Sequence, residues 1–334
     1  MRAVAASSHP FSLLKPDVIL DALESVGFVC DGRLLALNSY ENRVWQIGTD
    51  STWVVAKFYR PGRWSEAQIL EEHAFVAAMR DAELPVVAPL SVGGTTLFVH
   101  EGFRFAVYPR QGGRAPEFDD PQVLEWMGRL LARIHQVGER EAFPSREALD
   151  IVSFGVEPAN WLRAHASVPP ELAAVWQGVV AQSLDGVRAC YARAGSIAPL
   201  RLHGDCHAGN VLWTPGEGGG PFFVDFDDAR MGPAIQDLWM LLSGDPEDMG
   251  RQFSHVLAGY EMFREFDDRE VHLIEALRTL RLIHHAAWLA RRWDDPAFPA
   301  AFPWFASNRY WEERILELRE QIARMQEPAL KMSY

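Results

Sequence analysis

The periodicity of the apolar residues changes once along this chain, and that change limits the folds open to it. From about residue 31 to residue 108 apolar residues come in short runs broken by turn residues: LLALNSY, RVWQIG, TWVVAKFY, TTLFVH and RFAVYP. Such runs read as strands of one antiparallel sheet. From Pro121 onward the apolar residues recur at helical spacing, as in VLEWMGRLLARIH and the long stretch from Arg269 to Trp293. A period of two and a period of about 3.6 do not share one layer. YPRQGGR, at 108–114, separates the two textures with a proline and two glycines. The expected fold is therefore α+β in two lobes, with residues 1–108 forming a small sheet lobe and residues 109–334 a larger, mainly helical one.

Three local patterns refine this outline. PDVILDALESV, at 16–26, spaces Val18, Ile19, Ala22, Leu23 and Val26 as a leading helix, with Pro16 in its first turn and Gly27 as its stop. SEAQILEEHAFVAAMRDA predicts one helix inside the strand-rich part, capped by Ser65 and burying Ile69, Phe75 and Met79. In the second part NVLW, TPGEGGGP and FFVDF read as a hairpin with a glycine-rich turn. GEGGG lacks a following Lys-Ser or Lys-Thr, so it is not read as a phosphate-cradling loop.

With 334 residues, 48% of them hydrophobic and 23% charged, the chain has an ordinary globular make-up and should fold throughout. Its formal net charge of -13 opposes general binding to nucleic acid or to anionic lipid. Cys30, Cys190 and Cys206 are too few and too scattered for a disulfide framework, which points to a reducing compartment, the cytoplasm by default. Arg2 is the one early positive charge, and Lys15, Asp17, Asp21 and Glu24 interrupt the first apolar stretches, so no secretory signal is read. No apolar run approaches the roughly 18–20 residues of a membrane-spanning helix, and a soluble protein is expected.

The densest chemistry lies in HGDCHAGN, residues 203–210. Three readings compete for it: a metal nest, a nucleophile site and a phosphoryl-transfer loop. His203, Cys206 and His207 are residues that zinc uses, but no second paired set stands at ligand spacing. No serine or cysteine here sits in a recognisable nucleophile elbow. Phosphoryl transfer, by contrast, finds all its parts. In a protein kinase catalytic loop an aspartate accepts the proton of the attacking hydroxyl, an asparagine five positions on holds magnesium, and an aspartate on a following strand holds metal at the nucleotide phosphates. Asp205, Asn210 and Asp225 stand in that order.

Transfer also needs a fixed cation on the phosphates. Only Lys15, Lys57 and Lys331 occur among 32 basic residues, and Lys57 lies inside the apolar strand TWVVAKFY. A compact point charge suits that role better than a planar guanidinium, while a strand-edge lysine is the plain alternative. Lys57 in turn needs a carboxylate from the intervening helix, which offers Glu66, Glu71 and Glu72. Adjacent helical residues point about 100° apart, so Glu71 and Glu72 cannot both face the strand. Glu72 is the choice and Glu71 the runner-up. Asp227 alternates onto the Asp225 face if the strand continues, so it reads either as a second metal or substrate contact or as a solvated strand end. Asp228 extends the acidic cluster. Asp237 is expected to cap the helix after it and to accept N–H groups from the catalytic loop. His203 and His207 are read as shaping that loop.

HGDCHAGNVLW followed by FFVDFDDARMGPAIQDLW resembles the aminoglycoside phosphotransferase and choline kinase-like superfamily, whose members share the two-lobe protein kinase-like fold. LNSYENRVWQI, VVAKFYRPGRW, ILEEHAF, FAVYPRQGGR and WLARRWDDPAFP are similar to the bacterial stress response kinase A group, and the likeness runs along nearly the whole chain. The resemblance implies ATP, magnesium and phosphorylation of serine or threonine on proteins by a cytoplasmic monomer. It implies Asp205 as proton acceptor, Asn210 and Asp225 as magnesium ligands, and Ser39 in a nucleotide-covering turn. LNSYENR stands where protein kinases carry G-x-G-x-x-G, so Asn38, Ser39 and Asn42 are the candidate phosphate donors, with a plain hairpin turn as the alternative. Neither D-F-G nor A-P-E is present, and only about a dozen residues separate Asp225 from Asp237, which leaves little room for a phosphorylatable activation loop. Two other functions stay open: a small-molecule kinase of the aminoglycoside, choline or homoserine type, and an ATP-binding pseudokinase. The aromatic and basic stretch at 282–305 is either acceptor wall or core.

Overall fold

A computed structural model describes residues 9–331 apart from 166, 215, 217 and 218. Part of the glycine-rich turn read at 215–218, and Arg2, lie outside the described residues. The first part contains α1 (Pro16–Glu24), β1 (Cys30–Ala36), β2 (Arg43–Thr49), β3 (Trp53–Phe58), α2 (Glu66–Asp81), β4 (Phe98–His100) and β5 (Phe103–Pro109). The five strands form one antiparallel sheet in the order β1-β2-β3-β5-β4.

Alternation along β3 orients the sheet. Val54, Ala56 and Phe58 point into a core shared with Ile19, Ala22 and Leu23 of α1, so α1 covers the back of the sheet. Val55 and Lys57 take the opposite face, which lines a cleft. Lys57 pairs with Val44 on β2 and Ala106 on β5, which makes its strand interior and its position rigid. Ser65 caps α2 in a reciprocal box: its hydroxyl accepts from the Gln68 amide and its own amide donates to Gln68 Oε1.

The second part begins with α3 (Pro121–Gly138), capped by Asp120 with proline at its first turn. It continues through α4 (Glu157–Ala164), α5 (Pro170–Ala194), β6 (Leu200–Leu202), β7 (Val211–Thr214), β8 (Gly220–Phe223), β9 (Arg230–Gly232), α6 (Ile235–Trp239) and α7 (Pro246–Tyr260). It ends with α8 (Ile274–Arg291), α9 (Ala297–Ala301) and α10 (Asn308–Arg324). The stretch read as one helix from Arg269 starts instead as a 3-10 turn over Asp268–Leu273, and Ile274 opens the α-helix. The apolar faces of α3, α5, α7 and α8 close over one core that also takes Phe75, Val76 and Met79 of α2. That shared core ties α2 to the large lobe. No described helix is long and apolar enough to cross a membrane.

Candidate active site

β7 and β8 form the predicted hairpin, with Val211 opposite Phe223. The end of β8 is pinned to the chain after α2, since Phe223 donates to Pro85 O at 2.8 Å and accepts from Val87 N at 3.1 Å. Directly beyond, Asp225 takes a left-handed backbone (φ 59°, ψ 61°), which aspartate tolerates better than most residues. This turn ends the strand, and residues 226–228 form a 3-10 turn. The expectation that Asp227 alternates onto the Asp225 face therefore fails, because there is no strand for it to alternate along. Asp227 is buried, with Lys57 Nζ 3.1 Å from Oδ1 and Arg63 on Oδ2. It is not a solvated strand end, and both of its oxygens are engaged by cations.

The loop at 203–210 is held from behind. Asp237 Oδ2 accepts from His203 N at 2.9 Å and its Oδ1 from Gly204 N at 2.8 Å, while His135 Nε2 lies 3.2 Å from Oδ2. Asp237 lies inside α6 and does not cap it; Glu270 accepts from Ile235 N at 2.8 Å at that end instead. Gly204 has φ 84°, and a Cβ there would stand 2.2 Å from the Asp228 carbonyl oxygen. His203 bonds Val224 O at 2.9 Å and packs on Phe226. His207 accepts from Gly209 N and approaches Asp205 Oδ2 at 3.4 Å. Cys206 is fully buried, and burial pushes its thiol well above its ordinary pKa. With His203 engaged by Val224 O and no group of three His, Cys, Asp or Glu able to hold a metal among the described residues, the loop lacks a zinc ligand set.

These constraints bring the candidates to one cleft of about 750 Å³, within the usual range for ligand sites. Lys57, Glu72, Asp205, Asn210, Asp225 and Ser39 all line it. Lys57 Nζ lies 2.9 Å from Asp225 Oδ1, 3.1 Å from Asp227 Oδ1 and 3.9 Å from Glu72 Oε1. Burial works against its charge, but the three carboxylates prevail and hold its pKa well above the ordinary value. Glu72 is pushed up to about 6 by burial, with Lys57 and Arg146 pulling the other way. Glu71 turns aside and accepts the Ser145 and Arg146 amides, and Glu66 is exposed. In the 38–42 turn, Ser39 Oγ donates to Asn42 O at 2.9 Å and Asn42 Oδ1 accepts from Arg60 N at 3.0 Å. The Ser39 hydroxyl proton is thus spent inside the turn, while Asn42 is engaged there through its acceptor oxygens.

Asn210 Nδ2 donates to the Asp205 carbonyl at 2.9 Å, and among the described residues its Oδ1 accepts nothing. Asp225 has a side chain 54% exposed, and among the described residues its ion-pair partner is Lys57. Two hard oxygen donors facing a cleft fit a magnesium-type cation that completes its shell with water and phosphate. No group of three His, Cys, Asp or Glu able to hold a metal exists among the described residues, so such a cation would depend on the nucleotide.

Several functional side chains carry no sequence signal. Arg281 Nη1 lies 2.7 Å from Asp205 Oδ1. Arg146, fully buried, bonds Glu72 Oε2 at 3.0 Å and the carbonyls of Asp227 and Ala229. Arg63 bridges Asp227 to Asp228, and Glu41 ties the 38–42 turn to Trp288 and Arg292 of the large lobe. Burial opposes ionisation of Asp205, yet the His207 hydrogen bond and Arg281 hold its pKa below the ordinary carboxylate value. It is ionised at neutral pH.

Comparison with known proteins agrees with this geometry. The pattern of the phosphotransferase enzyme family (APH) matches residues 33–274. The chain is 44% identical over 328 residues to stress response kinase A of Escherichia coli O157:H7, covering 98% of each chain. It is equally similar, over the same length and coverage, to the serine/threonine protein kinase RdoA of Salmonella typhimurium. Among solved structures, amicoumacin kinase hAmiN in complex with AMP-PNP, Ca2+ and Ami superposes with a TM-score of 0.71 at 19% identity, covering 94% of both chains. The microcompartment-associated aminopropanol kinase superposes with a TM-score of 0.69 at 18% identity, covering 93% of this chain and 97% of its own. Those two likenesses speak for the kinase-like fold. With relatives matched over 98% of both chains and a cleft that gathers an ionised aspartate, a buried lysine and two oxygen donors, the chain belongs to the phosphotransferase enzyme family, kinase-like enzymes that draw on ATP and a divalent cation.

Proposed function

We propose that this chain is a serine/threonine protein kinase, transferring the γ-phosphoryl group of ATP to protein hydroxyls with magnesium as its cation, as a monomer in the cytoplasm. In this reading residues 1–108 are the nucleotide-covering lobe and residues 109–334 the catalytic and acceptor lobe. The observation that carries phosphoryl transfer is the convergence of Lys57, Asp205, Asn210 and Asp225 on one cleft. The protein acceptor is supported by the name of the RdoA relative.

Asp205 accepts the proton of the acceptor hydroxyl as its oxygen bonds to the γ-phosphorus, and the bond from that phosphorus to the β–γ bridging oxygen breaks to release ADP. Lys57, fixed by Glu72 and by its strand, offers a positive charge to the nucleotide phosphates. Asn210 and Asp225 would hold the cation, which supplies charge neutralisation at those phosphates. Ser39 and Asn38 cover the nucleotide from the small lobe. The intact set argues against a pseudokinase.

A small-molecule acceptor is the second reading. It is favoured by the wall that Trp288 and Phe302 build against the 38–42 turn, because Tyr40 packs edge-on to Phe302 at 4.9 Å and closes one side of the cleft. Incubation with labelled ATP and magnesium, with a protein panel beside a panel of small alcohols, separates the two. Phosphoserine or phosphothreonine should form on protein and fall at least ~10²-fold in Asp205→Asn, with ATP binding kept. Saturable phosphorylation of choline, homoserine or an aminoglycoside without protein labelling would overturn the protein acceptor and leave the transfer chemistry standing.

A further inference from the structure

Helix α8 turns one face to the cleft through Arg281, His284, His285 and Trp288, spaced i, i+3, i+4 and i+7. Burial, with nearby arginines, pushes His284 down to about 3 and His285 to about 4, so both are neutral at physiological pH. Arg281 is then the single charge among these four side chains, and its own side chain is 41% exposed.

The other carboxylates of the acceptor side are already matched. Asp228 is held by Arg63 and Arg230, each at 2.8 Å. Asp227 is held by Lys57 and Arg63, and Glu41 by Arg60 at 2.9 Å and Arg292 at 2.5 Å. Among the described residues a cationic acceptor would find no unclaimed carboxylate there. Arg281, in contrast, has as its ion-pair partner among the described residues the very group proposed to take the hydroxyl proton. An acceptor hydroxyl arriving at Asp205 Oδ1 competes with that 2.7 Å contact, and a guanidinium left without a carboxylate seeks another planar anion.

We infer that Arg281 is a specificity-determining residue: it leaves Asp205 for a carboxylate that the acceptor carries beside its hydroxyl, so the enzyme selects acid-flanked hydroxyls. The inference rests on Asp205 as the proton acceptor. On the protein reading, the preferred serine or threonine has Asp or Glu as a neighbour.

The test uses the full chain with ATP and magnesium. Two serine peptides differ only in Glu or Gln beside the serine, and in parallel homoserine is compared with homoserine amide. The Glu peptide should show a KM at least ~10-fold below that of the Gln peptide, the scale of a charge-assisted hydrogen bond. Arg281→Gln should bring that ratio close to one, and Arg281→Lys should keep part of it. A residue that only steadies Asp205 would lower kcat for both peptides alike and leave the ratio unchanged, which overturns the inference. Equal KM values in the unaltered enzyme overturn it as well. Turnover of the small alcohols with no peptide labelled removes the protein reading, and homoserine against its amide then decides the inference by the same ratio. Turnover of neither set overturns both.

Discussion

Replacing Lys57 by methionine removes the one ammonium among three carboxylates while keeping an unbranched side chain only one heavy atom shorter. Lys57 is 7% exposed and lies 2.9 Å, 3.1 Å and 3.9 Å from Asp225, Asp227 and Glu72. Breaking a buried pair from one side costs about 3–5 kcal/mol. Arg63 stays on Asp227 and Arg146 stays on Glu72, so the lower end, about 3 kcal/mol at neutral pH, is expected. The cost depends on pH, and Glu72 sets its direction. Its folded-state pKa of about 6 already exceeds the ordinary 4.5. Without Lys57 it rises further, so the folded variant holds a proton that the unfolded chain has lost. Stability then falls as pH rises from the ordinary value through the raised folded value, by at most about 1.4 kcal/mol per pH unit for one proton. Urea unfolding of both proteins at pH 6, 7 and 8 should show the gap widening by about 1–2 kcal/mol across that range. A gap that is flat with pH, or below about 1 kcal/mol at pH 8, would refute the account of Lys57 as the charge that holds this cluster together. Glu72→Ala should weaken ATP binding less than Lys57→Met does, because Asp225 and Asp227 both lie closer to the ammonium.

Chelation should abolish phosphoryl transfer and magnesium restore it, with Cys206→Ser keeping that response; zinc lost on this substitution would contradict the donor set. Gly204→Ala should cost several-fold or more in soluble yield or activity, since its Cβ would meet the Asp228 carbonyl oxygen at 2.2 Å, and normal yield with normal turnover would show that the loop yields easily. Burial and neighbouring cations lower His285 from 6.5 to about 4, so its contribution is complete above pH 6.5 and is lost as pH falls toward 4, worth about 3 kcal/mol in all. Thermal unfolding from pH 7 to pH 5 should therefore show a falling Tm that His285→Phe makes shallower; an unaltered slope would count against it.

Periodicity carried the sheet, α1, α2 and the helical second part, because period two and period 3.6 are properties of the backbone that side-chain order must obey. Ser65 and Gln68 form their box within four residues, so the start of α2 could be read directly. Asp227 departs from the local strand pattern, because the strand does not continue past Asp225. The left-handed turn at Asp225 is fixed by pinning of Phe223 to the Pro85–Val87 segment, more than a hundred residues earlier in the chain, and no local pattern encodes that. Asp237 accepts the N–H groups of the catalytic loop, as its place just before an apolar helix suggests, but it lies within α6 and Glu270 takes the capping position.

What the sequence by itself determined is the two-lobe order and the set Asp205, Asn210, Asp225 and Lys57, because these depend on spacing along a short loop and on one scarce residue type in an apolar strand. Only the tertiary structure decided which charges answer one another. Lys57 meets Asp225 across 168 positions, Arg281 arrives at Asp205 from α8, and Arg146 reaches Glu72 and the 227–229 backbone from the connection after α3. An ion pair forms where two desolvated side chains come within a few ångströms, and that distance is set by how helices and sheet pack, not by how residues are spaced along the chain.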